Sequence, residues 1–183
     1  MYGTGLTLFS QGNITLTNVE VTNSGSGAEL TANGNVKVEN SKFNKNKKAG
    51  AVIDAGGNVD ISNSEFNENG SGAIDDPVGF GLDVKSGGAV TLSGVAANLN
   101  QKFGATIEAP GTVKVTQSFF NGNISYAFLC TGWEYYGYGL KVVTNGSILL
   151  EDVTANENLL FGANLTGTNV DIADSFFNKN SSI

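Results

Sequence analysis

GAVIDAGGNVDISNSEFNEN, residues 50–69, spells one period of this chain. It opens on the step Gly50-Ala51-Val52-Ile53. Nine residues after the glycine comes the apolar pair Val59/Ile61. Ser64, Phe66, Asn67 and Asn69 follow at fixed offsets. Short alternating runs broken by Gly and Asn are strand grammar, not helix grammar.

The pattern recurs on both sides. The apolar pair appears as Ile14/Leu16, Val36/Val38, Val59/Ile61, Val90/Leu92, Val113/Val115, Ile148/Leu150 and Val170/Ile172, spaced 22, 23, 31, 23, 35 and 22 residues apart. A Gly-[Ala/Leu]-x-[Leu/Ile/Val] step precedes each pair, starting at Gly5, Gly27, Gly50, Gly81, Gly104, Gly139 and Gly162. No segment has helical periodicity. A unit of ~22 residues with three short strands and turns between them predicts a parallel β-helix of about seven rungs, residues 1–183 forming a single solenoid.

Two columns of the repeat carry its signature. Phe43, Phe66, Phe120 and Phe177 are predicted to stack inside the coil. Asn44, Asn67, Asn98, Asn121, Asn156 and Asn178 form one Asn column. Asn46, Asn69, Asn100, Asn123, Asn158 and Asn180 form another, two residues further on. Asn tolerates left-handed backbone and bonds to its neighbours one rung away, so both columns are expected at the bend as structural ladders. A ligand-binding Asn row is the alternative.

Composition narrows the chemistry. The 183 residues include 23 Asn and 25 Gly, with a formal charge of −7. All ten basic residues are Lys; there is no Arg and no His. Histidine bases, Ser-His-Asp triads, histidine metal sites and bidentate Arg clamps are therefore absent. The acidic balance argues against nucleic acid and anionic membranes, and no apolar run reaches membrane-spanning length. Cys130 is the single cysteine, so no internal disulfide forms, and with no cation close in sequence it reads as packed rather than reactive.

The Ser-x-Phe-x-x-Asn steps (Ser41–Asn46, Ser64–Asn69, Ser118–Asn123, Ser175–Asn180) and the Gly-Ala-x-Ile steps resemble right-handed parallel β-helix repeats of the pectate-lyase-like superfamily. They are also similar to repeats of bacterial surface proteins of the polymorphic outer-membrane type, which carry FxxN motifs. The resemblance covers almost the whole chain. It implies export and display on a bacterial surface. The start MYGTGLTLFSQG does not read as a signal peptide, and FFNKNSSI stops at a rung boundary without a cap. A piece of a longer exported protein is expected, with flanking rungs or stacked copies as its partners.

The period is broken twice. Eleven residues, 70–80, separate Asn69 from Gly81, and fifteen, 124–138, separate Asn123 from Gly139. Both insertions are expected to leave one corner of the coil, close enough to touch. The first carries Asp75 and Asp76; the second carries Tyr126, Trp133, Glu134, Tyr135, Tyr136 and Tyr138. Aromatic rings stack on sugar faces and carboxylates accept from hydroxyls, so these residues are the candidate glycan or host-protein contact. The alternative is a satellite cluster folded back on the solenoid flank, with Asp75-Asp76-Pro77 as a turn.

The function expected is a non-enzymatic extracellular or cell-surface solenoid, a rigid structural or adhesive domain with no catalytic residue assigned. A polysaccharide-active enzyme working through a carboxylate pair, Asp75 or Asp76 with Glu134, is the first alternative. An end-to-end stacking fibre subunit is the second. No cofactor is expected. Crowded Asp and Asn would allow Ca2+, but no EF-hand loop or GGxGxDxUx nonapeptide is present. The outward row Thr15, Lys37, Asp60, Thr91, Lys114, Leu149, Asp171 mixes charges, unlike an ice-binding face.

Overall fold

The computed structural model describes residues 3–70, 79–129 and 132–181, with 126–129 and 132–135 described by backbone alone. Among these residues there are sixteen strands and no helix. In chain order they are β1 (Leu6–Ser10), β2 (Ile14–Thr17), β3 (Ser26–Ala32), β4 (Val36–Glu39), β5 (Ala49–Ala55), β6 (Val59–Ser62), β7 (Phe80–Ser86), β8 (Val90–Ser93), β9 (Phe103–Ala109), β10 (Val113–Phe119), β11 (Ser125–Leu129), β12 (Gly132–Tyr136), β13 (Tyr138–Thr144), β14 (Ser147–Thr154), β15 (Phe161–Thr166) and β16 (Asn169–Ala173).

Alternate strands join alternate sheets. The first sheet runs β1-β3-β5-β7-β9-β13-β15 and the second β2-β4-β6-β8-β10-β14-β16, each seven-stranded and parallel throughout. Like positions of the repeat pair: Leu30 lies beside Ile53, Val38 beside Ile61, Val115 beside Leu150. The chain is a parallel β-helix, as the period predicts. The strands β11 and β12 form a separate antiparallel pair.

The third strand of each rung is narrower than the sequence reading. It is a column of single bridging residues, Glu20, Lys42, Glu65, Ala96 and Phe119, continued by Thr154 and Phe176. Two left-handed corners hem it in. One holds Asn18, Asn40, Asn63, Gly94, Gln117, Asp152 and Asp174; the other holds Asn23, Lys45, Glu68, Leu99, Gly122, Glu157 and Lys179, with φ between 46° and 64° throughout. Four residues separate the two corners, too few for a longer ladder.

This also corrects the expected role of Asn in the Phe-Asn-x-Asn step. The left-handed residue is the variable x, not either asparagine. The asparagines satisfy main-chain N–H groups of neighbouring rungs. Asn44 Oδ1 accepts from the Asn67 N–H at 2.7 Å, and the column continues through Asn98, Asn121, Asn156 and Asn178. In the second column Asn69 Oδ1 accepts from the Asn46 N–H at 3.0 Å, and the column continues through Asn100, Asn123, Asn158 and Asn180. A third Asn ladder, unread in the sequence, runs through Asn13, Asn35 and Asn58 at the other turn.

The core is the interior of the coil. Phe43, Phe66 and Phe120 are fully buried, Phe177 is partly buried in the last rung, and Phe43 and Phe66 stack with ring centroids 5.4 Å apart. The glycine column exists because nothing larger fits: a Cβ on Gly50 would lie 2.4 Å from Gly81 O and 2.9 Å from Asn69 Nδ2.

Candidate functional site

The residue just before each glycine of that column lies outside the core cluster. In rungs two and three it is small, Ser26 and Ala49. From the fourth rung it is aromatic. Phe80, Phe103, Tyr138 and Phe161 pair in register along the first sheet. Their ring centroids are 5.4, 5.1 and 5.3 Å apart in sequence order. The first three are half-buried, and Phe161 is exposed. In-register stacking therefore turns one letter of the repeat into a continuous apolar strip along the axis, in the offset and tilted geometry that aromatic quadrupoles favour.

Lys102, one residue before Phe103, lays its ammonium group on this strip. Nζ lies 5.4 Å from the Phe80 centroid, 5.5 Å from Phe103 and 4.4 Å from Tyr136. Such cation–π contacts are worth about 0.5–2 kcal/mol. They tie the base of the β11–β12 hairpin to the aromatic strip.

Beside the strip, on the outer face of the same sheet, a groove of about 250 Å³ is lined by Asp83, Lys85, Thr106, Glu108, Lys141 and Val143 together with Phe80. Strand alternation points these positions outward. Register makes two rows of them: Asp83, Thr106, Lys141 in one and Lys85, Glu108, Val143 in the other. The Thr106 hydroxyl donates to Asp83 Oδ1. Among the described residues neither Lys85 nor Lys141 has an ion-pair partner within 4.0 Å. With Lys102 the region offers three ammonium groups against two carboxylates, on a chain of net charge −7. It can donate to and accept from a ligand's hydroxyl groups while an apolar strip supports one side.

The predicted site residues divide. Asp75 and Asp76 lie outside the described residues, as does Cys130. The hairpin register sets Tyr126 opposite Tyr135, Phe128 opposite Trp133 and Ala127 opposite Glu134. Tyr126, Phe128, Trp133 and Tyr135 therefore occupy positions on one face of the ribbon, and Glu134 shares the other with Tyr136. Tyr138 is not part of the insertion: it opens β13 and stacks between Phe103 and Phe161, because the strip continues the repeat where the insertion ends. Both insertions follow residues of one ladder, Asn69 and Asn123, with Asn100 between them.

Lys102, Phe80, Phe103, Phe161 and the groove were missed. For the three phenylalanines the signal is the letter before each glycine, which reads Phe, Phe, Tyr, Phe from residue 80 onward. Among the described residues no three Cys, Asp or Glu side chains gather as metal ligands would.

No curated protein matches the chain. A solved structure, described as the crystal structure of pectate lyase Pel9A, matches with a TM-score of 0.60 and 23% identity, over 77% of this chain and 37% of the lyase. The likeness is one of fold, and the chain spans little more than a third of the length of that relative. Residues 1–136 match the family model described as the right handed beta helix region. With two parallel sheets in register and most of its length inside that match, the chain belongs to the right-handed β-helix family.

Proposed function

We propose that this chain is a non-catalytic, exported β-solenoid that holds carbohydrate on the outer face of its first sheet. The observation that carries the reading is the Phe80–Phe103–Tyr138–Phe161 strip beside a groove rich in hydroxyl-bonding groups. A linear glycan laid along the axis meets one ring per rung, with Asp83, Thr106, Glu108 and Lys141 available to its hydroxyls. The hairpin, whose register gathers four aromatic positions on one face, meets the strip where Lys102 reaches the Tyr136 ring. The match to a protein named as a pectate lyase agrees with a polysaccharide ligand and with location outside the cell.

Glycan-array binding tests this. Binding lost in Phe103→Ala and in Lys141→Ala, with the fold intact by circular dichroism, supports it. Binding retained in both removes the strip and groove from the site.

A second reading rests on the same groove, where carboxylates and unpaired ammonium groups lie side by side as acid–base chemistry on a glycan needs. Release of reducing or unsaturated ends from a bound polysaccharide, abolished by Lys141→Ala or Glu108→Gln, would replace a holding role with a cleaving one.

A further inference from the structure

The chain contains four Asn-Gly steps: Asn33-Gly34, Asn69-Gly70, Asn121-Gly122 and Asn145-Gly146. Asparagine is thermolabile, and most of all before glycine, where no side chain hinders ring closure on the amide. The fold treats the four differently.

In three of them the reacting groups are held. Asn69 Oδ1 accepts from the Asn46 N–H and Nδ2, and Asn69 Nδ2 donates to Asn100 Oδ1 at 3.0 Å. Asn121 Oδ1 accepts from the Asn156 N–H at 2.8 Å. Asn33 Nδ2 donates to Gln11 Oε1 at 2.7 Å. The glycine nitrogens that would attack are also held, each donating to a carbonyl one rung away: Gly34 to Gly12, Gly70 to Asn46 and Gly122 to Asn156.

Asn145 differs in its side chain, and Gly146 in where its N–H is held. Asn145 is exposed at the turn between β13 and β14, and its amide makes no hydrogen bond among the described residues. Thr144 pairs with Ala109, so the adjoining rung sets Pro110 beside Asn145, a residue with no polar side chain to offer. The Gly146 N–H donates only within its own corner, to Thr144 Oγ1 at 2.9 Å, and that hydroxyl donates onward to Gly111 O.

We propose that Asn145 is a self-modification site. Hydroxide removes the Gly146 amide proton. The nitrogen then attacks Asn145 Cγ, the new C–N bond closes a succinimide, and the bond from Cγ to Nδ2 breaks with loss of ammonia. Water adds to either ring carbonyl and opens the ring to aspartate or isoaspartate. No oxidant or cofactor is consumed. The product adds a negative charge to the turn, and isoaspartate adds a main-chain methylene to a corner with no spare room: a Cβ on Gly146 would already lie 2.7 Å from Gly111 C and O. Modification therefore marks the age of a molecule and loosens the turn between the two sheets.

The test incubates the folded chain at mildly alkaline pH and maps peptides by mass, with isoaspartate identified separately. A gain of one mass unit at Asn145, in both product forms, is expected at least about ten-fold faster than at Asn33, Asn69 or Asn121, the factor set by roughly one intact hydrogen bond at each of those. Asn145→Gln removes the event without altering the circular dichroism spectrum. The proposal falls if any of the other three reacts as fast in the folded chain. It falls equally if Asn145 stays intact under conditions that deamidate it in urea.

Discussion

Asn46 and Asn69 are joined twice through one atom: Asn69 Oδ1 accepts the Asn46 main-chain N–H at 3.0 Å and the Asn46 side-chain Nδ2 at 3.2 Å. In this buried ladder each rung donates toward the C-terminal end. Two residues away the half-buried ladder runs the other way: the Asn67 N–H donates back to Asn44 Oδ1. The two bracket a left-handed residue whose main chain is thereby held from both sides.

Asn100→Ala should be the more damaging ladder substitution. It strips the acceptor from the Asn69 N–H and Nδ2, which are otherwise bonded at 2.9 and 3.0 Å, in a buried setting. A buried donor left without a partner costs about 1–3 kcal/mol. Asn98→Ala removes one acceptor, for the Asn121 N–H, where water has access. Its expected cost is about 0.5–1.5 kcal/mol. Urea melts of the two variants decide the matter; an equal or reversed order contradicts the ladder account.

The period, the columns and the parallel coil were legible because in-register stacking repeats each structural demand as the same letter every rung. The left-handed corner between the two Asn ladders was not, since its occupants include Lys45, Glu68 and Leu99, whereas the other corner holds Asn, Asp or Gly in six of seven rungs. Ordinary residues accept that backbone because the flanking asparagines fix it, so residue type carries no signal there. The groove was hidden for another reason. Asp83, Thr106 and Lys141 share one position of the repeat, two residues after Gly81, Gly104 and Gly139, but they differ in type, so no repeated letter marks the row. Asp75 and Asp76, expected at the site, lie outside the described residues.

The glycine column gives a sharper contrast. A Cβ on Gly104 would meet Gly139 O at 2.4 Å and Ala97 O at 2.7 Å, both main-chain atoms that cannot step aside. Gly12, at an exposed turn, has nothing within 4 Å. Gly104→Ala should therefore lose more than about 2 kcal/mol or fail to fold, while Gly12→Ala should stay within about 0.5 kcal/mol of the parent. Thermal melts of the pair suffice, and similar midpoints would contradict the close approach of rungs at this column.

Residue size trades off, without balancing, between two core positions of the rung. Rungs with Phe43, Phe66, Phe120 or Phe177 carry Ser41, Ser64, Ser118 or Ser175 two residues earlier; the rungs with Ala97 and Ala155 carry Val95 and Val153 there. Ala97→Phe alone should overpack the coil by about 1–3 kcal/mol. Adding Val95→Ser returns space and supplies a hydroxyl positioned to accept the Ser64 N–H, as Ser64 Oγ accepts from Ser41 at 3.1 Å. A coupling of at least about 0.5 kcal/mol in the double-mutant cycle is expected, and strict additivity would show that the pairing is incidental.

Lys37 and Glu39 sit two apart on β4, with Nζ 2.8 Å from Oε1. The hydrogen bond to Glu39 is the main influence on Lys37, its charge the next, with Asp60 on the adjoining rung adding to both; together they raise the ammonium above the ordinary value of 10.5. A raised lysine stabilises the fold below its unfolded value and loses that contribution as pH climbs through the folded value. The effect belongs to strongly alkaline solution and is small, since the pair is exposed to water and salt. Glu39→Gln should lower the Lys37 titration midpoint seen by NMR and flatten the alkaline limb of stability. An unmoved midpoint would mean that the ion pair does not persist in solution.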